Sequence, residues 1–180
     1  MKYLLDSNIL RAYAAGHPTL LHNLARVPKA EVAVPLIVVV EQMRGRYEAI
    51  LKAEPNNLVR EQQRLLAAET LLREFSICYV SEAAASELQV LRQRVKTKKR
   101  YAEVILAAMA RAAGLTVVTR NVQDFRDLLP AQRVQNWIDQ AYQVAKQSSS
   151  GLRRALAAGR FYVGPGDNVV GVDGVGQLAA

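Results

Sequence analysis

Cysteine and histidine are scarce in this sequence, which contains one cysteine, Cys78, and two histidines, His17 and His22. A single cysteine excludes an intramolecular disulfide framework and a zinc site built from cysteines, and the two histidines have no third ligand near them in the sequence. No apolar run approaches the roughly 18 residues that a membrane-spanning helix needs. Asp6 interrupts the apolar residues at the N-terminus, so we expect no signal peptide. These absences predict a cytoplasmic protein that does not enter a membrane.

Two nucleotide-binding motifs are also missing. No Gly-x-Gly-x-x-Gly segment follows a candidate strand, and no Gly-x-x-x-x-Gly-Lys-Ser/Thr segment occurs. The first absence disfavours a dinucleotide-binding enzyme, and the second disfavours an NTPase.

The sequence has a large apolar fraction and an excess of positive charge. Of its 180 residues, 51% are hydrophobic, which suffices for the core of one domain. Lysine and arginine together number 24 against 16 acidic residues, a formal net charge of +8. A basic domain often binds nucleic acid, because contacts with phosphate supply affinity that does not depend on base sequence. An ordinary soluble protein can carry the same charge, so the charge alone leaves both interpretations open.

Short apolar segments alternate with longer amphipathic segments in the first part of the chain. We predict strands at residues 2–5, 32–34, 75–80 and 115–118, while residues 134–138 fit either a strand or the start of a helix. We predict helices at residues 9–15, 58–73, 81–95 and 102–113. At residues 36–45, Pro35 favours a helix, whereas the three successive valines 38–40 disfavour one. Strands that alternate with helices are typical of an α/β fold with a mainly parallel sheet.

The composition changes after residue 145. A serine-rich stretch follows, and residues 151–180 hold seven of the ten glycines. We therefore predict one domain at residues 1–145 and a flexible Ser/Gly-rich tail at residues 146–180. The alternative is a segment that binds a partner or adds strands to a sheet edge through residues 161–163 and 169–170.

Four acidic residues lie beside predicted strand ends or helix starts: Asp6, Glu41, Glu103 and Asp124. Ligands of parallel sheets bind where the carboxyl ends of strands open into loops, so these side chains could converge at one edge. Clustered carboxylates repel one another, and a hard divalent cation such as Mg²⁺ or Mn²⁺ removes that repulsion. Such an ion can activate water and brace a phosphoryl oxygen, as phosphodiester hydrolysis requires. Taken separately, Asp6 and Asp124 could each be a simple helix cap, so the spacing alone leaves a shared site open.

Each of the four acidic residues lies in a short motif: MKYLLDSNI at residues 1–9, EQMRG at 41–45, EVILAA at 103–108 and VVTRNVQDF at 117–125. These motifs resemble those of PIN-domain ribonucleases, in particular the VapC-like toxins. Residues 1–9, MKYLLDSNI, resemble the opening strand of the family, and residues 41–45 resemble its Glu-x-x-x-Gly helix segment. Residues 103–108, EVILAA, are similar to its Asp-x-x-Ile-Ala-Ala helix. Residues 117–125, VVTRNVQDF, closely match its Val-Thr-x-Asn-x-x-Asp/Glu-Phe segment. The motifs occur in the order and at the separations of the family, from Met1 to about Trp137, and this order is more specific than any single motif.

This resemblance implies a three-layer α/β/α sandwich with a mainly parallel sheet and a metal-dependent endoribonuclease activity. It implies that the four acidic residues surround Mg²⁺ or Mn²⁺. Asp6, Glu103 and Asp124 would be the residues of the metal site. Of the four acidic residues, Asp6 and Glu103 would be direct ligands, while Asp124 and Glu41 would act through water.

The same resemblance implies supporting residues and partners. Ser7 and Asn8 would support Asp6, and Thr119 and Asn121 would orient ligands or water. The family also implies an RNA substrate, a cognate antitoxin protein and a homodimer.

A basic run directly precedes Glu103. Its members are Lys96, Lys98, Lys99 and Arg100. The run is either a solvated surface or a track for the RNA backbone beside the site.

The sequence departs from the family pattern at three places. Glu103 stands where the family usually has aspartate, Val38 stands where it often has a hydroxyl residue, and the glycine that often precedes the third acidic residue is missing. These departures keep a second hypothesis open, in which the chain is a PIN-like RNA-binding or protein-interaction module with weakened catalysis.

Overall fold

The structure of the protein is a computed structural model that describes residues 1–94, 100–140, 161–164 and 168–170. The chain divides into two compact units, Met1–Lys146 and Gln147–Ala180. The boundary predicted from the sequence lies one residue from this division. The flexibility predicted for residues 146–180 concerns positions that lie mostly outside the described residues.

The first unit is built around a five-stranded sheet in which every pair of neighbouring strands is parallel. The strands are β1 (Tyr3–Leu5), β2 (Val32–Pro35), β3 (Ser76–Cys78), β4 (Thr116–Val118) and β5 (Val134–Gln135). Their spatial order is β3-β2-β1-β4-β5. The ambiguous segment at 134–138 thus begins as an edge strand. The first strand of the chain lies at the centre of the sheet, flanked by β2 and β4.

Six α-helices lie in residues 1–94 and 100–140. They are α1 (Ser7–Ala14), α2 (Pro18–Leu24), α3 (Leu36–Leu51), α4 (Leu58–Leu72), α5 (Glu82–Arg94) and α6 (Tyr101–Ala113). Short 3-10 turns occupy Lys29–Glu31, Pro55–Asn57, Val122–Phe125 and Ala131–Arg133.

The helices cover both faces of the sheet. Successive side chains of a strand point to opposite faces, so one strand can supply apolar residues to a core on either side. In β1, Leu4 packs into one core with residues of α5 and α6. Tyr3 and Leu5 belong to a second core, with residues of α1, α2 and α3. The predicted three-layer α/β/α sandwich with a parallel sheet is therefore confirmed.

Helix α3 runs straight through the valines that disfavoured a helix in the sequence analysis, and it continues beyond Gly45 to Leu51. The helical penalty of a β-branched residue is only a few tenths of a kcal/mol. Complete burial of a valine contributes about 1.5–3 kcal/mol, and Val38 is 1% exposed. Tertiary packing therefore outweighs the local preference.

Glycine ends two helices where the sequence analysis expected an end. Gly16 and Gly114 adopt positive φ angles of 69° and 67°, a conformation that favours glycine. The sequence analysis missed the helix that follows the first of them. Helix α2 begins at Pro18, because a proline that ends one helix also suits the first turn of the next.

The second unit contains two described strands, β6 (Phe161–Gly164) and β7 (Asn168–Val170), which pair with each other in antiparallel orientation. These are the segments that the sequence analysis considered as possible strands. Among the described residues of the chain, no helix has the length and hydrophobicity needed to cross a bilayer.

Candidate active site

The carboxyl ends of β1 and β4 lie side by side at the centre of the sheet. Leu5 is in register with Val118, and the Asp6 N–H donates to the Val118 carbonyl at 3.0 Å. The order of the strands reverses here, since β2 and β3 lie on one side of β1 and β4 and β5 lie on the other. Ligands of open α/β sheets bind in the crevice at such a reversal. The polar segments 6–8 and 119–121 meet at this crevice.

The Asp6 carboxylate is held by three hydrogen bonds. Its Oδ1 accepts from the Ser7 backbone N–H at 2.6 Å. Its Oδ2 accepts from the Thr119 hydroxyl at 2.7 Å and from the Asn8 amide at 2.8 Å. Ser7 thus contacts Asp6 through its backbone N–H and not through its hydroxyl. Thr119, the residue that follows β4, donates the second of these hydrogen bonds. Both carboxylate oxygens are therefore fixed in orientation.

Thr119 and Asn8 are fixed in turn. The Thr119 hydroxyl accepts from the Asn8 amide and from the Asn121 backbone N–H, each at 3.0 Å. The Asn8 Oδ1 accepts from the Arg120 backbone N–H at 2.9 Å. A hydroxyl has one donor and two acceptor sites, so every site of the buried Thr119 hydroxyl is used. Asn121 takes part through its backbone rather than its side-chain amide.

The other three acidic residues come from elements that begin at the same edge of the sheet. Glu41 lies on α3, which starts directly after β2, and Asp124 lies on the 3-10 turn that follows β4. Glu103 lies in the first turn of α6. Helix α6 leads into β4 through Gly114 and so runs back along the sheet, with its first turn toward the carboxyl edge. The positive end of the helix dipole favours an ionised carboxylate in this turn.

Two of the other acidic residues act electrostatically on Glu41. Partial desolvation raises the pKa of Glu41, and the negative charges of Glu103 and Asp6 raise it further. The positive charge of Arg11 opposes this rise. Such a rise costs free energy at neutral pH, because the ionised Glu41 carboxylate is partly desolvated and faces two other negative charges. Glu41, Glu103 and Asp6 therefore form one acidic cluster.

Asp124 lies beside Arg100. The Arg100 guanidinium forms an ion pair with Asp127 at 2.8 Å and donates to the backbone carbonyl of Asp124. The side-chain hydrogen bond with Asp127 raises the pKa of Arg100, and the negative charges of Asp127, Asp124 and Glu103 raise it further. Arg100, which was predicted to contact RNA, thus forms hydrogen bonds with Asp127 and with the backbone of Asp124. Its predicted companions, Lys96, Lys98 and Lys99, lie outside the described residues.

The carboxylates of the acidic cluster have the chemistry of ligands for a hard divalent cation, because Mg²⁺ and Mn²⁺ prefer carboxylate oxygens. Among the described residues, no group donates a hydrogen bond to the carboxylates of Glu41, Glu103 or Asp124. No three Asp, Glu, His or Cys side chains of residues 1–94 and 100–140 are arranged as ligands around one point. Mg²⁺ commonly keeps several waters and binds through one or two carboxylates. The chemistry of these carboxylates therefore fits such an ion, and the ligand set implied by the resemblance remains a prediction.

Two charged residues at this edge were missed by the sequence analysis. Arg11 acts on Glu41 from α1, and Asp127 pairs with Arg100. Asp127 follows Asp124 by three residues, a spacing that could have placed both on one face of a helical turn. Arg11 carried no comparable signal.

Comparison with known families decides what kind of domain this is. The model of the PIN domain family matches residues 3–128. The chain belongs to the PIN domain family. All four acidic residues of the sequence analysis lie within the matched part of this PIN domain.

Solved structures similar to this PIN domain include a chain of a toxin–antitoxin complex. A chain of a toxin–antitoxin complex from Klebsiella pneumoniae is 26% identical, with a TM-score of 0.54, over 79% of this chain and 100% of its own length. VapBC2 from Rickettsia felis, bound to a promoter DNA fragment, is 24% identical with a TM-score of 0.58, over 76% of this chain and 99% of its own. FitAcB from Neisseria gonorrhoeae is 24% identical with a TM-score of 0.57, over 77% of this chain and 99% of its own length. No curated protein matches the chain. The predicted resemblance to PIN-domain proteins of toxin–antitoxin systems is confirmed.

Replacing Glu41 with glutamine is expected to raise the melting temperature of the metal-free protein at neutral pH. The ionised carboxylate destabilises the fold there, because it is partly desolvated and faces two other negative charges. A group whose pKa is higher in the folded chain stabilises the fold at low pH, and this contribution is lost as the pH rises through the folded pKa. In EDTA, the melting temperatures of wild type and Glu41→Gln should agree below the ordinary glutamate pKa of 4.5 and diverge as the pH rises.

Glu48, on the same helix, provides a control of opposite sign. The Arg44 Nε donates to its carboxylate at 2.8 Å, and this contact lowers the pKa of Glu48. Glu48→Gln should therefore lower the melting temperature slightly or leave it unchanged, since an exposed ion pair contributes little to stability. A Glu41→Gln protein that melts at or below the wild-type temperature at neutral pH would contradict the electrostatic account of the cluster.

Proposed function

We propose that this protein is a Mg²⁺- or Mn²⁺-dependent endoribonuclease and the toxin of a toxin–antitoxin pair, acting on RNA in the cytoplasm. The observation that carries the proposal is the acidic cluster of Asp6, Glu41 and Glu103 at the strand reversal of a PIN domain. A cluster that raises the pKa of one of its own members costs stability in the absence of a cation. A bound cation would offset this cost, and the catalysis that it supports gives the cluster a function.

Asp6 and Glu103 would hold the metal ion directly, and Glu41 and Asp124 would act through water. When bound, the ion would supply activation of water and stabilisation of the negative charge that develops on a phosphoryl oxygen. The hydrogen bonds from Thr119 and Asn8 hold the Asp6 carboxylate in one orientation. Glu41 binds a proton more readily than an ordinary glutamate, which suits it to accept a proton from water.

The substrate proposal rests on charge. The chain carries a net charge of +8, and this favours a polyanion such as RNA. We assign the phosphate contacts beside the site to Lys96, Lys98 and Lys99. Arg100 is bound to Asp127 and is less available for such a contact.

The partner proposal rests on the relatives. Similar structures include a toxin–antitoxin complex and VapBC2, which supports a protein antitoxin as the partner of this chain. The resemblance to the family also supports a homodimer.

An RNA cleavage assay of the full chain tests the proposed activity. The wild type is expected to cleave RNA internally with Mg²⁺ or Mn²⁺ and to lose cleavage in EDTA. Glu103→Gln should lower the rate by about 100-fold, since removing even a supporting group of a metal ligand costs about 10–100-fold. Glu82→Gln is the matched control, because Glu82 occupies the first turn of α5 as Glu103 does in α6.

The outcomes separate the two functional hypotheses. Metal-dependent cleavage that Glu103→Gln removes and Glu82→Gln retains supports the endoribonuclease. RNA binding without cleavage by the wild type would instead favour the RNA-binding module. Growth arrest on expression, relieved by Glu103→Gln, is the expected result for the toxin assignment, whereas normal growth with an active enzyme would argue against it.

A further inference from the structure

Arg100 links two elements that each carry an acidic residue of the site. It directly precedes α6, three residues before Glu103, and no side chain caps this helix among the described residues. Its Nη2 lies 2.8 Å from Asp127 Oδ1, and its Nη1 lies 2.9 Å from Asp127 Oδ2. Its Nη2 also donates to the backbone carbonyl of Asp124. One guanidinium therefore connects the start of α6 to the turn that carries Asp124.

The geometry of these bonds restricts orientation as well as distance. Two parallel N–H···O bonds between a guanidinium and a carboxylate hold both planar groups in one plane. The third bond attaches the same group to the backbone at Asp124 itself. Lysine cannot reproduce this arrangement, because its ammonium group is a point charge without a fixed fork.

The ion pair has little value for stability alone. The side chains of Arg100 and Asp127 are 31% and 50% exposed, and ion pairs with this much solvent contact contribute little to the free energy of unfolding. The turn is already anchored in the core by Phe125, which is 0% exposed. The contacts of Arg100 are better explained by the placement of Asp124 than by the stability of the fold.

We propose that Arg100 and Asp127 are positioning residues, which together set Asp124 against Glu103 at the proposed metal site. This inference rests on the proposed function. It also changes the role of Arg100, which the basic run had suggested as a contact for RNA. Arg100 would act on the substrate only through the two acidic residues that it holds in place.

Three variants of the full chain test this proposal. Arg100→Lys keeps the charge and removes the fork, and Asp127→Asn removes the charge of the partner. Asp139→Asn is the matched control, because Asp139 accepts from Arg120 Nε at 3.1 Å and from Arg120 Nη2 at 3.3 Å in a second Arg–Asp pair. Three quantities are measured: Mn²⁺ affinity of the metal-free protein by calorimetry, RNA affinity in EDTA, and kcat and KM for RNA cleavage.

Arg100→Lys and Asp127→Asn are each expected to weaken Mn²⁺ binding by about 10-fold, the usual effect of losing a group that orients a metal ligand. Both should lower kcat with KM unchanged, and both should leave RNA affinity in EDTA unchanged. The double variant should be no worse than either single variant, because the two side chains act as one unit. Asp139→Asn should match the wild type in all three measurements.

Other results would overturn the proposal. If Arg100→Lys weakens RNA binding in EDTA while Asp127→Asn leaves Mn²⁺ affinity at the wild-type value, then Arg100 contacts RNA directly. If both variants bind Mn²⁺ and cleave RNA as the wild type does, the positioning role is wrong while the proposed function stands. If the wild type neither binds Mn²⁺ nor cleaves RNA, the proposed function itself fails and the positioning role fails with it. Melting temperatures near the wild-type value establish that the variants are folded.

Discussion

Asp6→Asn is expected to lower the rate of RNA cleavage by about 100-fold or more, since it removes a proposed direct ligand of the metal ion and not only a supporting group. Asparagine is neutral, and one of its two terminal atoms is a donor. The Asp6 carboxylate accepts three hydrogen bonds, one at Oδ1 from Ser7 and two at Oδ2 from Thr119 and Asn8. An amide group placed at Oδ2 would face the Asn8 amide, donor against donor. The substitution therefore removes a negative charge and also disturbs the network that orients the site.

A thermal shift measurement separates the loss of metal binding from the loss of fold. Mn²⁺ should raise the melting temperature of the wild type, because an ion that binds only the folded chain stabilises it. The same addition should leave the melting temperature of Asp6→Asn unchanged. Asp139→Asn, an exposed aspartate in a surface ion pair, is the control and should respond as the wild type does. An Asp6→Asn protein that cleaves RNA at the native rate would refute the assignment of Asp6.

Trp137→Ala is expected to lower the free energy of unfolding by about 3–5 kcal/mol, the range found when a large buried aromatic side chain is removed. Trp137 is 0% exposed, and its ring lies 4.8 Å from that of Tyr3 on the central strand. Its indole N–H donates to the Gln135 side chain at 2.7 Å, and its carbonyl accepts from Asn23 at 2.9 Å. It therefore joins the edge strand, α2 and the centre of the sheet.

Urea unfolding of the full chain measures this effect. The free energy of unfolding of a native protein is about 5–15 kcal/mol, so the expected loss is a large fraction of the stability. Trp137→Phe should cost much less, because it keeps most of the buried volume while removing the indole hydrogen bond to the half-buried Gln135. Equal losses from the two substitutions would show that the hydrogen bond, rather than the packing, is the main contribution of Trp137.

Much of the local structure could be predicted because its causes lie close together in the sequence. Asp6 caps α1 through the N–H of the next residue, and Ser81 caps α5 through the Ala84 N–H at 3.2 Å. Gly114 ends α6 because few other residues adopt its backbone angle. The four acidic residues were found from their positions beside predicted strand ends and helix starts. The resemblance of the motifs added their roles in one site and the role of Thr119, since each residue lies within a short, recognisable segment.

Helix α3 and Arg100 show where such reasoning fails. The three valines of α3 oppose a helix by themselves, but the buried position of Val38 reverses that preference. Arg100 belongs to a basic run in the sequence, yet its partner, Asp127, lies 27 residues away. No local pattern identifies such a partner, because it is brought near only when α6 and the turn after β4 pack together.

By itself, the sequence determined most of the strands and helices (α2 and α3 are the exceptions), which acidic residues follow them, and that the sheet is mainly parallel. These properties depend on the alternation of apolar residues and on caps within a few positions. Only the tertiary structure decided that β1 and β4 are neighbours, so that Thr119 bonds to Asp6 across 113 positions. It also decided that Glu103 and Asp6 act electrostatically on Glu41, and that Asp124 and Glu103 act on Arg100. The reason is physical: strand order and helix placement follow from the burial of two whole faces of the sheet, which no single segment of the chain can specify.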